Sequence, residues 1–566
     1  MHVSRRLPCL AVILAAVCLA PPGADARFLL PHEGATSETE AKAAAAKLRT
    51  ITDSKQAEPI FAEISGPANA GSAEALFTIA WLHQSGVGTP QSLEKAKEAY
   101  AKAAEKGLAA AQNNLGLLRL ATGDDGKAAV ALIEQAATAG YAPAQVTMGQ
   151  LFLDGIPAAG ISKDFDQARV WFERAAAAGD SDAHFTLGMM YEQGSGVPAD
   201  QTVAMEFFQK AADKDHAQAT IRLAARTATG QGTKADPAKA RALFDKAIAS
   251  NAPGARLALA SLYEEGKGFE KDAKQAFALY SAAAAAGDLA AFNKLGYFHE
   301  NGLGVPKDDA KALEWYRKGS EKNVAVCTHN LAVFTEEGRG GATKDPKEAF
   351  SLFQKAALSA FVPSQLALAL RYRDGKGVPQ DPQAALAWFE RAMQNGNIDA
   401  AAQSAMILES GAAGYVNLDT AARLYREASG KGHAPAMVQL GGLLETGRGI
   451  QPDFRQAFAL YSIASEGGYK PATEKLESLR SKLSPEQLKA AEEFTASAAG
   501  NQPASPKDAG STAKPASPTP PTASPKPGAP AAKPTPKPSQ KPAAKPTVKP
   551  TVKPTVKPTA KPAAAR

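Results

Sequence analysis

One segment of about thirty residues recurs along most of this chain. The stretch that begins at Ala183, AHFTLGMMYEQGSGVPADQTVAMEFFQKAA, returns in altered form from Ala291 and again from Ser364. Taking the first residue of each copy as its anchor, seven of the ten intervals between anchors are 36 residues, and the anchors are residues 75, 111, 144, 183, 219, 255, 291, 327, 364, 400 and 436. One such unit cannot bury its apolar face alone, so the period predicts a tandem array of eleven stacked units.

Each unit reads as helix, glycine loop, helix. In the fourth copy Leu187 and Tyr191 lie one helical turn apart on the apolar stripe, and Gly194 then interrupts the helix. The second helix often opens with an aspartate that can cap backbone N–H groups, and Asp236-Pro237 adds a proline at the first helical position. The pattern therefore predicts an all-α protein.

Three elements at this period, L-G-x-x-Y, G-x-G-V-P and A-x-x-W-[YF]-x-x-A-A, closely resemble the Sel1-like repeat, a longer relative of the tetratricopeptide repeat. The resemblance covers Gly71 to Arg480 and implies a right-handed α-solenoid with a concave groove. It also implies an adaptor or regulator that binds proteins, as many family members in the bacterial envelope do. The second repeat has lost most of its loop, the third has extra residues, and the tenth has Ser404-Ala405 where Leu-Gly is usual, which leaves local curvature open.

The first 26 residues have the parts of a secretory signal peptide. Arg5 and Arg6 precede an apolar stretch from Leu7 to Ala20, and Ala24-Asp25-Ala26 is a small-x-small cleavage site. We therefore expect cleavage after Ala26 and a periplasmic or secreted protein. No second apolar stretch of spanning length follows, so the mature chain is not expected to span a membrane.

Composition divides the remainder. We expect an N-terminal helical cap over 27–70, the eleven-repeat solenoid over 71–480, a capping helix over 481–500 and a disordered Pro/Ala/Lys-rich tail over 501–566. The tail holds 18 of the 39 prolines and carries a net charge of +11, whereas the chain as a whole carries +7 and residues 27–500 carry −5.

The tail permits two interpretations. Evenly spaced lysines form a sparse positive brush that suits an anionic envelope polymer, and the same composition also suits a solvated spacer. A nucleic-acid partner is not expected, because the chain carries an export signal and the tail has no aromatic residues among its lysines.

Nothing in the sequence forms a catalytic or metal-binding constellation. The eight histidines are scattered without an i, i+4 pair. Cys9 and Cys18 leave with the signal, so Cys327 is left without a disulfide partner. Cys327 occupies an anchor where alanine is usual, which favours a small buried residue over a reactive thiol or a metal ligand. The chain is therefore expected to be non-enzymatic and to need no cofactor or metal.

A hydrolase acting on β-lactams is the least favoured function. Cysteine-rich members of the resembled family were described as binding or cleaving penicillin-like compounds. The cysteine pairs of those members are absent here.

A glutamate follows the loop-side aromatic position in six repeats. These carboxylates could line a groove for a basic ligand, but a residue that repeats with the scaffold is better explained as serving the scaffold. The six are Glu192, Glu264, Glu300, Glu336, Glu409 and Glu445.

Positions that vary inside the fixed frame are the better binding candidates. By analogy with tetratricopeptide geometry, the residues two and six positions after each anchor face the groove, where aromatic, methionine and amide side chains suit a peptide. The candidates are Phe77, Trp81, Asn113, Gln150, Phe185, Met189, Asn293, Tyr297 and His329. Packing is the competing role for each of them. The favoured hypothesis is thus an envelope scaffold that captures a protein segment in its groove, and the alternative is a cell-wall-associated structural protein attached through its tail.

Overall fold

The computed structural model describes Phe61 and residues 72–500, with side chains to residue 497. The predictions for the signal peptide (1–26), for the N-terminal cap (27–70, apart from Phe61) and for the tail (501–566) lie outside the described residues.

Within residues 72–500 the chain forms 24 α-helices and no strand, which confirms the predicted all-α solenoid. The helices come in pairs, one pair to a repeat. The first six pairs are α1 Ala73–Ser85 and α2 Leu93–Glu105, α3 Ala109–Thr122 and α4 Gly126–Thr138, α5 Ala142–Asp154 and α6 Phe165–Ala177, α7 Ser181–Gln193 and α8 Gln201–Ala212, α9 Ala217–Thr229 and α10 Pro237–Ala249, α11 Ala255–Glu265 and α12 Ala273–Ala285. The next five are α13 Ala290–Asn301 and α14 Asp309–Glu321, α15 Ala325–Glu337 and α16 Pro346–Leu358, α17 Val362–Asp374 and α18 Pro382–Gln394, α19 Ile398–Ser410 and α20 Leu418–Gly430, α21 Ala434–Thr446 and α22 Phe454–Glu466.

Every even-numbered helix from α2 to α22 has a side-chain N-cap. Nine of the eleven caps are aspartates, as the sequence predicts, and Ser92 and Asn417 serve α2 and α20. Asp236 accepts a hydrogen bond from the backbone N–H of Lys239 at 2.9 Å, and Pro237 takes the first helical position. The caps fix where each second helix begins, because they satisfy N–H groups that have no partner inside the helix.

Two glycine positions hold the repeat together. Gly377, the second loop glycine of the ninth repeat, has φ +76°, and a Cβ there would lie 2.0 Å from the carbonyl oxygen of Pro346 at the start of the preceding even helix. Gly296, inside α13, lies so close to the Tyr316 ring that a Cβ would be 2.4 Å from it. The loop glycine therefore joins one repeat to the previous one, and the helical glycine joins the two helices of one repeat.

The second and third repeats depart from the frame together. Three residues separate α3 from α4, whereas the third repeat inserts a 3₁₀ turn at Pro157–Ala159, closed by an antiparallel bridge between Ile156 and Ile161. Ala159 is buried in the same apolar cluster as Val130 and Ile133 of α4. The extra residues of the third repeat therefore cover the helix that the shortened second loop leaves open.

A further pair follows the eleventh repeat. Its helices are α23 Lys470–Lys482 and α24 Pro485–Gly500, so the expected boundary at residue 480 falls inside α23 and the expected capping segment contains α24. Leu479 and Ala491 are buried against the apolar cluster that includes Leu440 and Tyr461 of the eleventh repeat. This pair covers the apolar side of the last repeat.

Candidate interaction surfaces

The six repeating glutamates lie at the joints between repeats. In four repeats the tyrosine sixteen residues later, on the even helix, donates a hydrogen bond to the carboxylate. The O–O distances are 2.5 Å for Tyr280–Glu264, 2.7 Å for Tyr316–Glu300, 2.9 Å for Tyr425–Glu409 and 3.2 Å for Tyr461–Glu445. Burial raises the pKa of Tyr280, and its hydrogen bond to Glu264 raises that pKa further, so this hydroxyl keeps its proton.

Each of these four carboxylates also meets a cation from further along the chain. Lys294 Nζ lies 2.9 Å from Glu264, and Arg339 Nη1 lies 2.8 Å from Glu300. Arg448 pairs with Glu409 at 3.2 Å, and Lys482 of α23 pairs with Glu445 at 2.7 Å. The carboxylates therefore join consecutive helix pairs.

In the other two repeats no tyrosine lies sixteen residues after the glutamate, and a second cation pairs with the carboxylate. Glu336 is paired with Arg371 at 2.6 Å and with Lys376 at 3.0 Å. Glu192 is likewise paired with both Arg222 and Arg226. All six glutamates are thus used by the scaffold, as the sequence analysis favoured, and they do not form an open ladder for a basic ligand.

Five of the nine predicted groove residues are buried. Phe77 packs edge-to-face on Tyr100, with ring centroids 5.4 Å apart. Met189 lies in the cluster around Phe208, and Trp81 is 7% exposed. The other two are Asn113 and Gln150. These five side chains are therefore packed inside the protein. Their role in binding stays a prediction.

Three further candidates make contacts at the joint to the next repeat. The Phe185 ring stacks on the imidazole of His216 at 4.7 Å between centroids. Asn330 Nδ2 donates to Asn293 Oδ1 at 2.8 Å. His329 Nδ1 lies 2.8 Å from Ser364 Oγ. All three are partly exposed, so they combine a joint contact with accessible surface.

Tyr297 is the candidate that solvent reaches most freely, at 43% exposure on α13. Met406, which the sequence analysis did not name, is 44% exposed on α19. Both residues stand six positions after their anchors, at residues 291 and 400. Simple extension of the position-six rule to the tenth repeat would have found Met406. We call the places two and six residues after each repeat anchor positions two and six. All of them lie on odd-numbered helices, and the residues that occupy them are called the odd-helix face.

Buried amides distinguish the N-terminal repeats. Tyr100 Oη donates to Gln84 Oε1 at 2.9 Å, Asn114 Nδ2 lies 3.5 Å from Tyr100 Oη, and Asn113 Nδ2 donates to Asn114 Oδ1 at 3.2 Å. Six of the seven buried Asn and Gln side chains in the described residues belong to α1, α3 and α5: Gln84, Gln112, Asn113, Asn114, Gln145 and Gln150. Neutral hydrogen bonds thus connect the first repeats.

The environment shifts the pKa of two side chains that could carry chemistry, the buried Cys327 and the partly exposed His329. Burial raises the pKa of the Cys327 thiol to about 12, and the sulfur packs against Gly319. Burial lowers the pKa of His329 to about 4, so this imidazole is neutral at pH 7. No group of three or more His, Cys, Asp and Glu side chains in the described residues is placed to hold a metal ion.

Among the described helices, none has the length and apolar character needed to cross a membrane.

The chain belongs to the Sel1 repeat family. The Sel1 repeat model matches it eleven times, once for each helix pair from α1–α2 to α21–α22. The matches cover 73–108, 109–141, 142–180, 181–216, 217–251, 253–288, 290–324, 325–360, 362–397, 398–433 and 434–469. Sel1 repeat proteins are commonly protein-interaction scaffolds and are typically non-enzymatic.

Particular relatives are similar over parts of the chain. The uncharacterized protein NMB1327 of Neisseria meningitidis serogroup B is 36% identical over 121 residues, which are 21% of this chain and 24% of that protein's length. The c5321 protein, a protective antigen of uropathogenic Escherichia coli strains with an SLR fold, is 28% identical, with a TM-score of 0.44 over 80% of this chain and 99% of its own. A Sel1 repeat protein from Oxalobacter formigenes is 29% identical, with a TM-score of 0.41 over 54% and 88% of the two chains.

Proposed function

We propose that the mature chain is a non-catalytic scaffold of the bacterial cell envelope that captures a segment of a partner protein on its odd-helix face. In tetratricopeptide-type arrays this face lines the concave groove. The observation that carries the proposal is that Tyr297 and Met406 occupy the same repeat position and are both strongly exposed. Tyrosine and methionine are enriched at protein interfaces, and burial of their exposed apolar surface by a partner lowers the free energy.

The neighbouring positions supply polar contacts to the same face. Two partly exposed residues occupy position two of this face. Asn293 lies on α13, the helix of Tyr297, and His329 lies on α15, the odd-numbered helix of the next repeat. Amide and imidazole groups can bond a peptide backbone, which suits a face that recognises an extended or helical segment.

The binding role is tested with a pair of variants. Y297A/M406A removes the two exposed side chains of the odd-helix face, and L358A/V416A removes two even more exposed apolar side chains that lie outside it. The partner is first identified by cross-linking in living cells from a photoreactive residue at position 297. We expect Y297A/M406A to weaken capture of that partner at least about tenfold and the control to leave it unchanged. Equal capture by all three proteins would exclude the odd-helix face.

The envelope location is proposed from Arg5, Arg6, the apolar stretch after them and the Ala24-Asp25-Ala26 site. N-terminal sequencing of the protein from fractionated cells should find Arg27 as the first residue of an extracytoplasmic form. Recovery of the protein from the cytosol with Met1 in place would refute export.

A second candidate function, a structural protein attached to the cell wall, is favoured by the charge of +11 on residues 501–566. Exposed lysines attract an anionic polymer through Coulomb forces that salt screens, with a screening length of roughly 3 Å at 1 M. Replacing the tail lysines by glutamine and keeping every proline separates charge from spacing. If attachment survives this replacement and high salt, the tail does not bind an anionic polymer through its charge, and its role as a solvated spacer remains.

A further inference from the structure

The fifth repeat departs from the frame at two positions near its loop. Eight and fourteen positions after the anchor, the sixth repeat has Tyr263 and Phe269, whose ring centroids are 5.0 Å apart. The fifth repeat has Thr227 and Thr233 at the same two positions. Two rings that fill the loop side of the sixth repeat are therefore replaced by two small polar side chains.

A crevice of about 920 Å³, open to solvent, lies where those rings are missing, between α8 and the loop of the fifth repeat. Met205 and Leu223 form its apolar floor, and Thr227 and Thr233 lie in its wall. The volume is within the range of roughly 300–1,000 Å³ in which proteins bind ligands. The crevice thus has the size and the apolar floor to take a large side chain from outside the chain.

Lysines dominate the charged rim of the crevice. Lys210, Lys234 and Lys239 line it, together with the carboxylates of Glu206 and Asp236. Asp236 is turned onto the backbone N–H of Lys239 as the cap of α10. None of the three lysines forms an ion pair within residues 72–497, and all three are exposed. Three ammonium groups without a carboxylate partner in the described residues, around an apolar floor, favour an acidic ligand.

We propose that this crevice binds an aromatic side chain of a protein segment in which acidic residues flank the aromatic one. The aromatic ring takes the place that Tyr263 and Phe269 fill in the next repeat, and the carboxylates meet the three lysines. The crevice lies against α8, an even-numbered helix, so it is a second site that can be present whether or not the odd-helix face binds a partner.

The first test restores the missing rings in the full chain. The probe is a synthetic acetylated, amidated peptide, Glu-Asp-Glu-Phe-Glu-Asp-Glu, and its control has alanine in place of phenylalanine. We expect T227Y/T233F to bind the phenylalanine peptide at least about tenfold more weakly than the unsubstituted chain does, because its own rings fill the crevice. T233F alone, a loop substitution, should also weaken binding and serves if the double variant does not fold. Unchanged affinity in the folded variants would overturn the proposal.

The second test concerns the rim. K210Q/K234Q/K239Q should weaken binding at least about tenfold and reduce its dependence on salt. The matched control, K271Q/K274Q/K307Q, removes the same charge from three other exposed lysines without an ion pair in the described residues. Equal losses in both triple variants would show unspecific attraction to the surface and would overturn the proposal, as would equal affinity for the phenylalanine and alanine peptides.

The two proposed sites are separated by cross-testing. Y297A/M406A should bind the phenylalanine peptide as the unsubstituted chain does. If that variant loses the peptide while T227Y/T233F keeps it, the peptide binds the odd-helix face and the crevice site is refuted.

Discussion

The first three repeats and the last six share one frame, but buried amide side chains are concentrated in the first three. Near the N-terminus, the buried Asn114 amide of the second repeat donates to Tyr100 of the first, and an ion pair between Lys97 and Asp124 spans the same joint. From the sixth repeat on, carboxylates such as Glu300 pair with cations such as Arg339 at partly exposed joints. A buried neutral joint avoids the cost of desolvating charge, whereas a charged joint is stable only while both partners are present.

The same two regions differ at position six of the odd-numbered helices. Trp81 and Gln150 are 7% and 3% exposed, whereas Tyr297 and Met406 are 43% and 44% exposed. One repeat position is therefore buried in one region and exposed at two residues of the other. The comparison shows that a position in a repeat has no fixed role, because its burial depends on the side chains of the adjacent repeats.

The largest effect should come from truncating position six in both regions. Trp81→Ala removes a buried indole and should cost about 3–5 kcal/mol, whereas Tyr297→Ala should cost less than about 0.5 kcal/mol. Because a repeat array can open in parts, hydrogen exchange of α1 and α13 is measured together with denaturant unfolding. Similar costs for the two variants would remove the difference in packing between the regions.

A somewhat smaller effect should come from breaking a charged joint. Glu336→Gln keeps the side-chain shape but leaves Arg371, whose side chain is 11% exposed, without its carboxylate, and should cost about 3 kcal/mol. For comparison, Gln84→Leu breaks a neutral bond inside the first repeat, because it removes the acceptor of Tyr100 Oη, and should cost about 1–2 kcal/mol. Local exchange rates in α15 and α1 measure the two losses. A larger loss from Gln84→Leu would reverse the proposed ranking of the charged and the neutral contact.

The sequence predicts the helices and the repeat boundaries better than it predicts which side chains of the odd-helix face are exposed. Period, glycine loops and aspartate caps depend on residues near one another in the chain, so helices and repeat limits follow from local rules. The partners of Glu264 and Glu300 lie 30 and 39 residues away, and no local rule pairs them. The analogy with tetratricopeptide repeats placed Trp81 and Tyr297 on one face from their repeat position alone. It did not include the neighbouring side chains, which determine how far each residue is buried.

Acid should weaken the C-terminal region at the joint of His329 and Ser364. Burial, followed by the nearby charge of Arg371, lowers the pKa of His329 to about 4, while an unfolded histidine titrates near pH 6.5. The unfolded chain therefore binds the proton first as pH falls. The contribution of neutral His329 to the free energy of unfolding is fully present above about pH 6.5. It is lost by about pH 4, which lowers the free energy of unfolding by on the order of 2 kcal/mol. Unfolding between pH 7 and 4 measures it, and His329→Gln should flatten that slope. An unchanged slope in this variant would assign the acid sensitivity to other groups.

The last comparison adds a ring at position six in each region, and each substitution also removes one side-chain hydrogen bond to an acidic residue four positions later. Gln150 is buried and donates to Asp154, so Gln150→Tyr must displace neighbours and should cost about 1–3 kcal/mol. Ser261 holds the same repeat position on α11 and is partly exposed, so Ser261→Tyr should change stability by less than about 0.5 kcal/mol. The new ring would extend the odd-helix face one repeat before Tyr297, and partner capture should rise if that face binds. Equal destabilisation by both tyrosines would mean that the odd-helix face is as closely packed in the sixth repeat as in the third, and no exposed groove would then begin before Tyr297.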